Sequence, residues 1–305
     1  MEFLYLLESL RTPFGDAFFS LVTHLGEETL FIVFGLLIFW CIDKWEGYYL
    51  LTVGLTGTVI NQFLKLWFRI PRPWVRDPDF TIVESARAEA TGYSFPSGHT
   101  QSSVGIFGSL ARWNRQIWLR ALCLILCVLV PLSRLYLGVH TPADVGVSLL
   151  VAMVLLFGLY PLIRKGMKNP GTMWAVLAVL FLLSLGYLAF VTLFPFPPGT
   201  DAANLASGTK NAWKMVGCML GLLCTYGVDR RTDFDTRAPL LGQIAKLVLG
   251  FALLLAIKAG AKAPLQALFA NDYLADGLRY FLIVLFAGCI WPRTFPLFQK
   301  LGKRK

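Results

Sequence analysis

Apolar runs of about twenty residues, separated by short polar stretches, dominate the chain. A membrane-spanning helix needs about 20 mostly apolar residues. On that scale the pattern predicts nine spans, at about 28–42, 47–68, 99–113, 116–133, 143–163, 172–194, 211–227, 240–261 and 277–296. The runs at 28–42 and 99–113 are short. Residues 3–23 are apolar but interrupted by Glu8, Arg11, Pro13 and Asp16, a pattern that predicts an interfacial amphipathic helix rather than a tenth span. The expected fold class is all-α: a polytopic membrane helix bundle.

Composition narrows the class further. Of the 305 residues, 56% are apolar and 15% charged, with a mean hydropathy of +0.61, against about 45–50% and about 25% in soluble domains. A cytosolic enzyme, a disordered chain and a disulfide scaffold are excluded. The six cysteines lie in apolar runs without zinc-ligand spacing and read as small apolar residues. Glu2 and Glu8, with no early basic cluster, argue against a signal peptide.

The net charge of +10 raises nucleic acid as a partner, but its distribution points elsewhere. Basic residues cluster in alternate loops: Lys44; Arg112, Arg115 and Arg120; Arg164, Lys165 and Lys168; Arg230, Arg231 and Arg237; then Arg293, Lys300, Lys303, Arg304 and Lys305. Positive loops stay cytoplasmic. The C-terminus is therefore expected inside, with the loops at 69–98, 134–142 and 195–210 on the outer face.

Polar residues able to do chemistry crowd into three places, all on that outer face. Lys65, Arg69 and Arg72 are spaced i, i+4, i+7 and are expected on one helix face; they fit either anion binding or interfacial anchoring. Pro96-Ser97-Gly98-His99 opens a span as a capped helix N-terminus, a ready anion site. Ser133-Arg134 through His140-Thr141-Pro142-Ala143-Asp144 forms the third. There Thr141, Pro142 and Asp144 make a capping box, and Asp144 is also placed to orient His140. Of three histidines, His24 reads as interfacial. The other two, with the cations and the helix N-terminus, suit phosphoryl transfer: one imidazole attacks phosphorus and the other protonates the leaving oxygen.

Lys65-x6-Arg72-Pro73, then Pro96-Ser97-Gly98-His99, then Ser133-Arg134-x5-His140-x3-Asp144 resemble the three-part signature of the type 2 phosphatidic acid phosphatase (PAP2) superfamily, in order and at the family's spacing. The likeness covers about residues 46–165. It implies an N-terminal helix and first span in 1–45, a catalytic core in 46–165, and additional transmembrane helices in 166–305, as in the longer family members. By this resemblance His140 is the nucleophile that forms a phosphohistidine, Asp144 orients it, and His99 is the acid and then the base. Lys65, Arg72, Arg134, Ser97 and Gly98 hold the phosphate. No cofactor and no metal are implied, and no carboxylate pair is expected near these loops to hold magnesium.

The implied activity is hydrolysis of a lipid phosphate or polyprenyl diphosphate at the outer (periplasmic, extracellular or lumenal) face of a membrane, with no nucleic-acid partner. Two rivals share the site pattern: a phosphotransferase to another acceptor, and a vanadium-dependent haloperoxidase. A third, from another class, is a lipid transporter or flippase. Arg69, Lys258 and Arg279 are further candidates for substrate contact, the last two as charges at or within spans. The mixed-charge loop at 76–90 reads equally as a lid or as a plain solvated connection.

Overall fold

The computed structural model describes residues 1–301, so the expected cytoplasmic cluster Lys303, Arg304 and Lys305 lies outside the described residues. Among the described residues there is no strand. The first part of the chain forms α1 (Glu2–Ser9), α2 (Pro13–Thr23), α3 (Glu28–Cys41), α4 (Lys44–Phe68), the short α5 (Pro73–Arg76) and α6 (Gly98–Trp113). There follow α7 (Ile117–Tyr136), α8 (Pro142–Gly166), α9 (Pro170–Leu193), α10 (Ala202–Thr232), α11 (Leu240–Gly260), α12 (Lys262–Leu268), α13 (Asp272–Leu285) and α14 (Phe295–Phe298).

The first eight expected spans each fall on one helix and the ninth, 277–296, runs from α13 to the start of α14, but the helices are not alike. Five stretches are long and apolar enough to cross a membrane: α7, α8, α9, α11 continued into α12, and Asp272–Phe298. A sixth arises if Pro13–Gly26 and α3, bent by 51° at their junction, count as one span. The remainder fall short in length or in apolar character, and they carry polar side chains that the protein itself buries. Thus α6 has only 16 residues and encloses Thr100, Gln101, Ser103 and Ser109, whereas α7 turns Leu124, Ile125, Val128 and Leu132 outward, as a lipid-facing helix does. The chain is a multi-pass, all-helical membrane protein.

The helices form two compact units built from separated stretches. The first comprises Met1–Phe34, Thr56–Tyr160 and Pro195–Ser207. Within it α6 packs along α7, and α1 and α2 also lie against α7. The N-terminal stretch is not one helix. Thr12 accepts from the Gly15 amide at 3.1 Å with Pro13 at the first helical position, so the chain restarts there after α1 ends at Ser9. Leu4 joins Phe80, Ile82, Ala86, Tyr136 and Val139 in one buried cluster. The 76–90 loop is therefore packed down, and α1 and the 137–141 turn are fixed to it.

The second unit comprises Gly35–Leu55, Pro161–Phe194 and the chain from Gly208 onward. Here α10 meets α13 backbone to backbone: a Cβ on Gly217 would lie 2.1 Å from the Gly277 carbonyl oxygen, so only glycine permits the approach. Lys44 bridges Asp229 (2.9 Å) and Asp233 (2.6 Å), and Trp40 donates to the Ala287 carbonyl at 2.8 Å. Arg279 is buried and paired with Asp276, while Lys258 is exposed near the end of α11.

Candidate active site

All three motif segments belong to the first unit, and each owes its place to local chain chemistry. Ser97 caps α6, accepting from the Thr100 amide at 3.3 Å, and leaves Gly98 and His99 in the first turn, where amides have no intrahelical acceptor. The expected capping box at the start of α8 forms reciprocally: Asp144 N donates to Thr141 Oγ1 at 3.3 Å, and Thr141 N donates to Asp144 Oδ2 at 2.7 Å. The same Oδ2 accepts from Ser94 Oγ at 2.5 Å and faces His140 Nδ1 at 3.4 Å. Asp144 is thus cap and histidine partner together. Its backbone carbonyl in turn accepts from Ser97 N at 3.1 Å, which ties the α8 start to the α6 cap.

His140 is 1% exposed, and its two ring nitrogens face opposite partners. Arg72 Nη1 lies 2.9 Å from Nε2 and also donates to the Val139 carbonyl at 3.0 Å. A guanidinium can only donate, so Nε2 accepts and the proton of the neutral ring sits on Nδ1, toward Asp144. Burial, followed by the charges of Arg72, Arg134 and Lys65, holds the His140 pKa well below the usual imidazole value. The result is a neutral imidazole with its Nε2 lone pair directed at a cation. Arg72 is itself anchored by the Gly92 (3.1 Å) and Thr91 (2.6 Å) carbonyls. Burial lowers its pKa to about 10, which leaves it charged at neutral pH.

Lys65, Arg72, Gly98, His99 and His140 line one cavity of about 210 Å³. Lys65 donates to the Tyr93 carbonyl. The other expected residues stand differently. Arg134 is fully buried, donates to Thr23 Oγ1 at 2.5 Å, and keeps Nε and Nη2 without a hydrogen-bond partner, but it does not line the cavity. Ser97 is engaged as the cap.

Arg69 departs from expectation. The helix ends at Phe68 and Arg69 adopts φ +51°, so the i, i+4, i+7 face does not extend to it. Its guanidinium turns back to the Leu66 carbonyl at 2.8 Å, away from the cavity. Arg72 reaches the site by the turn instead. Lys258 and Arg279 belong to the second unit.

The N-terminal segment contributes more than an interfacial anchor. Gly26 lies so close to His99 that a Cβ would sit 2.9 Å from its Cβ and carbonyl oxygen, and Arg11 Nε donates to the Tyr136 carbonyl at 3.1 Å. His24 stands 2.5 Å from Glu27 Oε1 and 3.1 Å from Glu89 Oε1. These three side chains bring ligand atoms within 4.8 Å of one another, a set able to hold a metal ion. Glu89 also lines the cavity, 3.5 Å from His99 Nε2. A carboxylate pair therefore does lie beside the site; it escapes notice in the sequence because Glu27 and Glu89 come from distant segments. Asn61 and Gln101, one turn beyond Lys65 and Gly98, line the cavity as well and read in the sequence as ordinary polar positions of a span.

The PAP2 superfamily matches residues 45–168, and the PAP2 superfamily phosphatase transmembrane extension matches residues 213–304. An all-helical membrane protein with the three motif segments gathered on one cavity, the chain is a member of the PAP2 superfamily. It is 27% identical to phosphatidylglycerophosphatase B of Bacillus subtilis, over 48% of this chain and 75% of that one. To sphingosine-1-phosphate phosphatase 1 of Mus musculus it is 32% identical, over 48% and 34% of the two chains. To an undecaprenyl-diphosphatase of Bacillus subtilis it is 37% identical, over 34% and 51%. The match thus spans three quarters of the first relative and between about a third and a half of the other two. No solved structure matches the chain significantly.

Proposed function

We propose that the protein is an integral membrane phosphatase that hydrolyses a lipid phosphate or lipid diphosphate through a phosphohistidine on His140. The observation that carries this reading is the buried His140 ring, with Nε2 2.9 Å from the Arg72 guanidinium and Nδ1 facing Asp144. When the Arg72 hydrogen bond passes from Nε2 to a phosphate oxygen, the freed Nε2 lone pair attacks phosphorus as the bond to the leaving oxygen breaks, and that oxygen takes its proton from a protonated His99. His99 then accepts a proton from water, whose oxygen attacks phosphorus and breaks the N–P bond, releasing inorganic phosphate and neutral His140. Lys65, Arg72 and the first-turn amides of α6 offset charge on the transferring oxygens, and the charge of Arg134 adds to theirs. The relatives' names, which cover phosphatidylglycerol phosphate, sphingosine phosphate and a polyprenyl diphosphate, support a lipid substrate.

The reaction as written needs no metal, since the side chains around His140 Nε2 supply both nucleophile and countercharge. In the membrane, the proposed arrangement has nine spans, with α1 and α2 as an interfacial N-terminal segment whose exposed Phe14, Phe18 and Leu21 meet lipid. The catalytic core is residues 46–165, the site faces outward, and the C-terminus is cytoplasmic, following the basic loops.

Purified protein tests the chemistry. His140→Ala is expected to abolish release of phosphate from a labelled lipid phosphate, and quenched wild type to carry an acid-labile label on His140. Near-normal release by the variant would overturn the mechanism. Label passing to an organic acceptor instead of water would indicate a transferase, and loss of activity in EDTA would show a metal requirement, for which His24, Glu27 and Glu89 are the candidate ligands.

A further inference from the structure

The cavity changes chemistry from one end to the other. Around His140 it is cationic, with Lys65 and Arg72 in the wall. The N-terminal segment and the 76–90 loop add Glu28 and Glu89, but one helical turn further along α4 and α6 those two helices contribute neutral side chains, with Asn61 four residues before Lys65 and Gln101 three residues after Gly98. Both are more than nine-tenths buried, at 3% and 4% exposure. Nevertheless Asn61 Nδ2, Gln101 Nε2 and Gln101 Oε1 have no hydrogen-bond partner. Gly57 leaves the space that Gln101 occupies, for a Cβ there would lie 2.5 Å from Gln101 Nε2. Thr58 and Ser102 extend the same neutral lining.

Buried amides are almost always satisfied, by protein, water or ligand. These two carboxamides lie on a cavity, beside the group that reacts. A second phosphate would call for cations, as the first one has, whereas Asn61 and Gln101 offer uncharged donors together with an acceptor. A hydroxyl group answers both, because it donates one hydrogen bond and accepts others.

We infer that Asn61 and Gln101 form a subsite for a hydroxyl group carried within a few bonds of the scissile phosphate ester. The substrates are then hydroxylated lipid phosphates, built on a glycerol or an amino alcohol, in preference to plain polyprenyl diphosphates. The inference rests on the phosphatase reading above and narrows its substrate class.

A matched pair of substrates tests it: a long-chain alkyl phosphate and the same chain bearing a hydroxyl on the carbon next to the ester carbon, in detergent micelles. Wild type is expected to favour the hydroxylated compound in kcat/KM by at least about tenfold, since a site built to bond a hydroxyl discriminates against the analogue lacking it. In Asn61→Leu and Gln101→Met the ratio should fall toward one. A wild-type ratio near one, as when only water occupies the subsite, overturns the inference and leaves the phosphatase reading standing. So does a parallel loss on both substrates with the ratio kept. Inhibition of wild type by the two corresponding non-hydrolysable phosphonates gives the same ratio without any variant. If wild type released phosphate from neither compound, the phosphatase reading itself would fall.

Discussion

Arg72 Nη1 lies 2.9 Å from His140 Nε2, and both side chains are buried. Protonating His140 would place another cation among Arg72, Arg134 and Lys65 with little water to screen them, which is why its pKa lies well below the usual value. As the proposed nucleophile, an imidazole whose proton affinity is depressed stays neutral as pH falls through the ordinary histidine range and is lost only below it. The acid limb of kcat/KM, which reports the free enzyme, should therefore lie below about pH 6.5, the unperturbed histidine value. Arg72→Met removes the largest electrostatic cause but not the burial, so the limb should move to higher pH while kcat falls by about 10²–10³. Comparing the two profiles on one substrate cancels titration of the substrate phosphate; an unmoved limb would show that Arg72 does not govern His140.

Asp144 can be divided into its two roles. Its Oδ2 receives the Thr141 amide at 2.7 Å and Ser94 Oγ at 2.5 Å as well as facing His140. Asp144→Asn keeps an oxygen for the cap and should cost no more than about 1 kcal/mol of stability. It loses the charge that favours the Nδ1–H tautomer, so the rate should drop by about 10²–10⁴. Ser94→Ala leaves the charge in place and should cost far less activity. Thermal melting and phosphate release on the same samples separate the two effects, and equal losses in both variants would contradict the division.

Much of this site is legible in the sequence, for reasons visible at particular residues. Lys65, Arg72, Gly98, His99 and His140 stand out because charge and histidine are scarce in so apolar a chain, and they do share a cavity. The capping box at Thr141 and Asp144 is a local pattern and forms as read. Arg69 was not readable, because helical spacing holds only while the helix lasts and α4 stops at Phe68. Nor was the tertiary packing: nothing near Gly26 or Glu89 in the chain announces His99 as a neighbour. Nor did the apolar run at 99–113 reveal how far α6 is enclosed by the rest of the protein around its polar side chains.

The contact between Gly26 and His99 makes the N-terminal segment part of the site. A methyl group on Gly26 would fall 2.9 Å from His99 Cβ, from its carbonyl oxygen and from Val130 Cγ1, two of them atoms that cannot swing aside. Gly26→Ala should therefore displace the start of α6, with a stability loss of about 1–3 kcal/mol. If His99 is the acid proposed above, its sub-ångström placement matters, and activity per folded molecule should drop by at least about tenfold. A variant that melts lower but keeps full specific activity would show that His99 tolerates the shift.

Stability and catalysis should come apart in the second unit. Asp229 is 4% exposed and accepts from Lys44 Nζ at 2.9 Å and from the fully buried Tyr48 hydroxyl at 3.3 Å. Asp229→Ala strands both donors. Lys44 keeps Asp233, but that carboxylate is largely exposed and weak as a substitute. The loss should accordingly be about 1–3 kcal/mol rather than the larger cost of a fully isolated buried charge. Asp229→Asn restores an acceptor for Tyr48 without the charge and should fall between the variant and wild type. None of these groups lines the cavity at His140, so kcat/KM of the folded fraction should stay within about twofold, the spread of ordinary surface effects. Thermal melting in detergent alongside kinetics decides the matter: a fall in kcat/KM with an unchanged melting point would mean that Asp229 acts on the reaction and not on the fold.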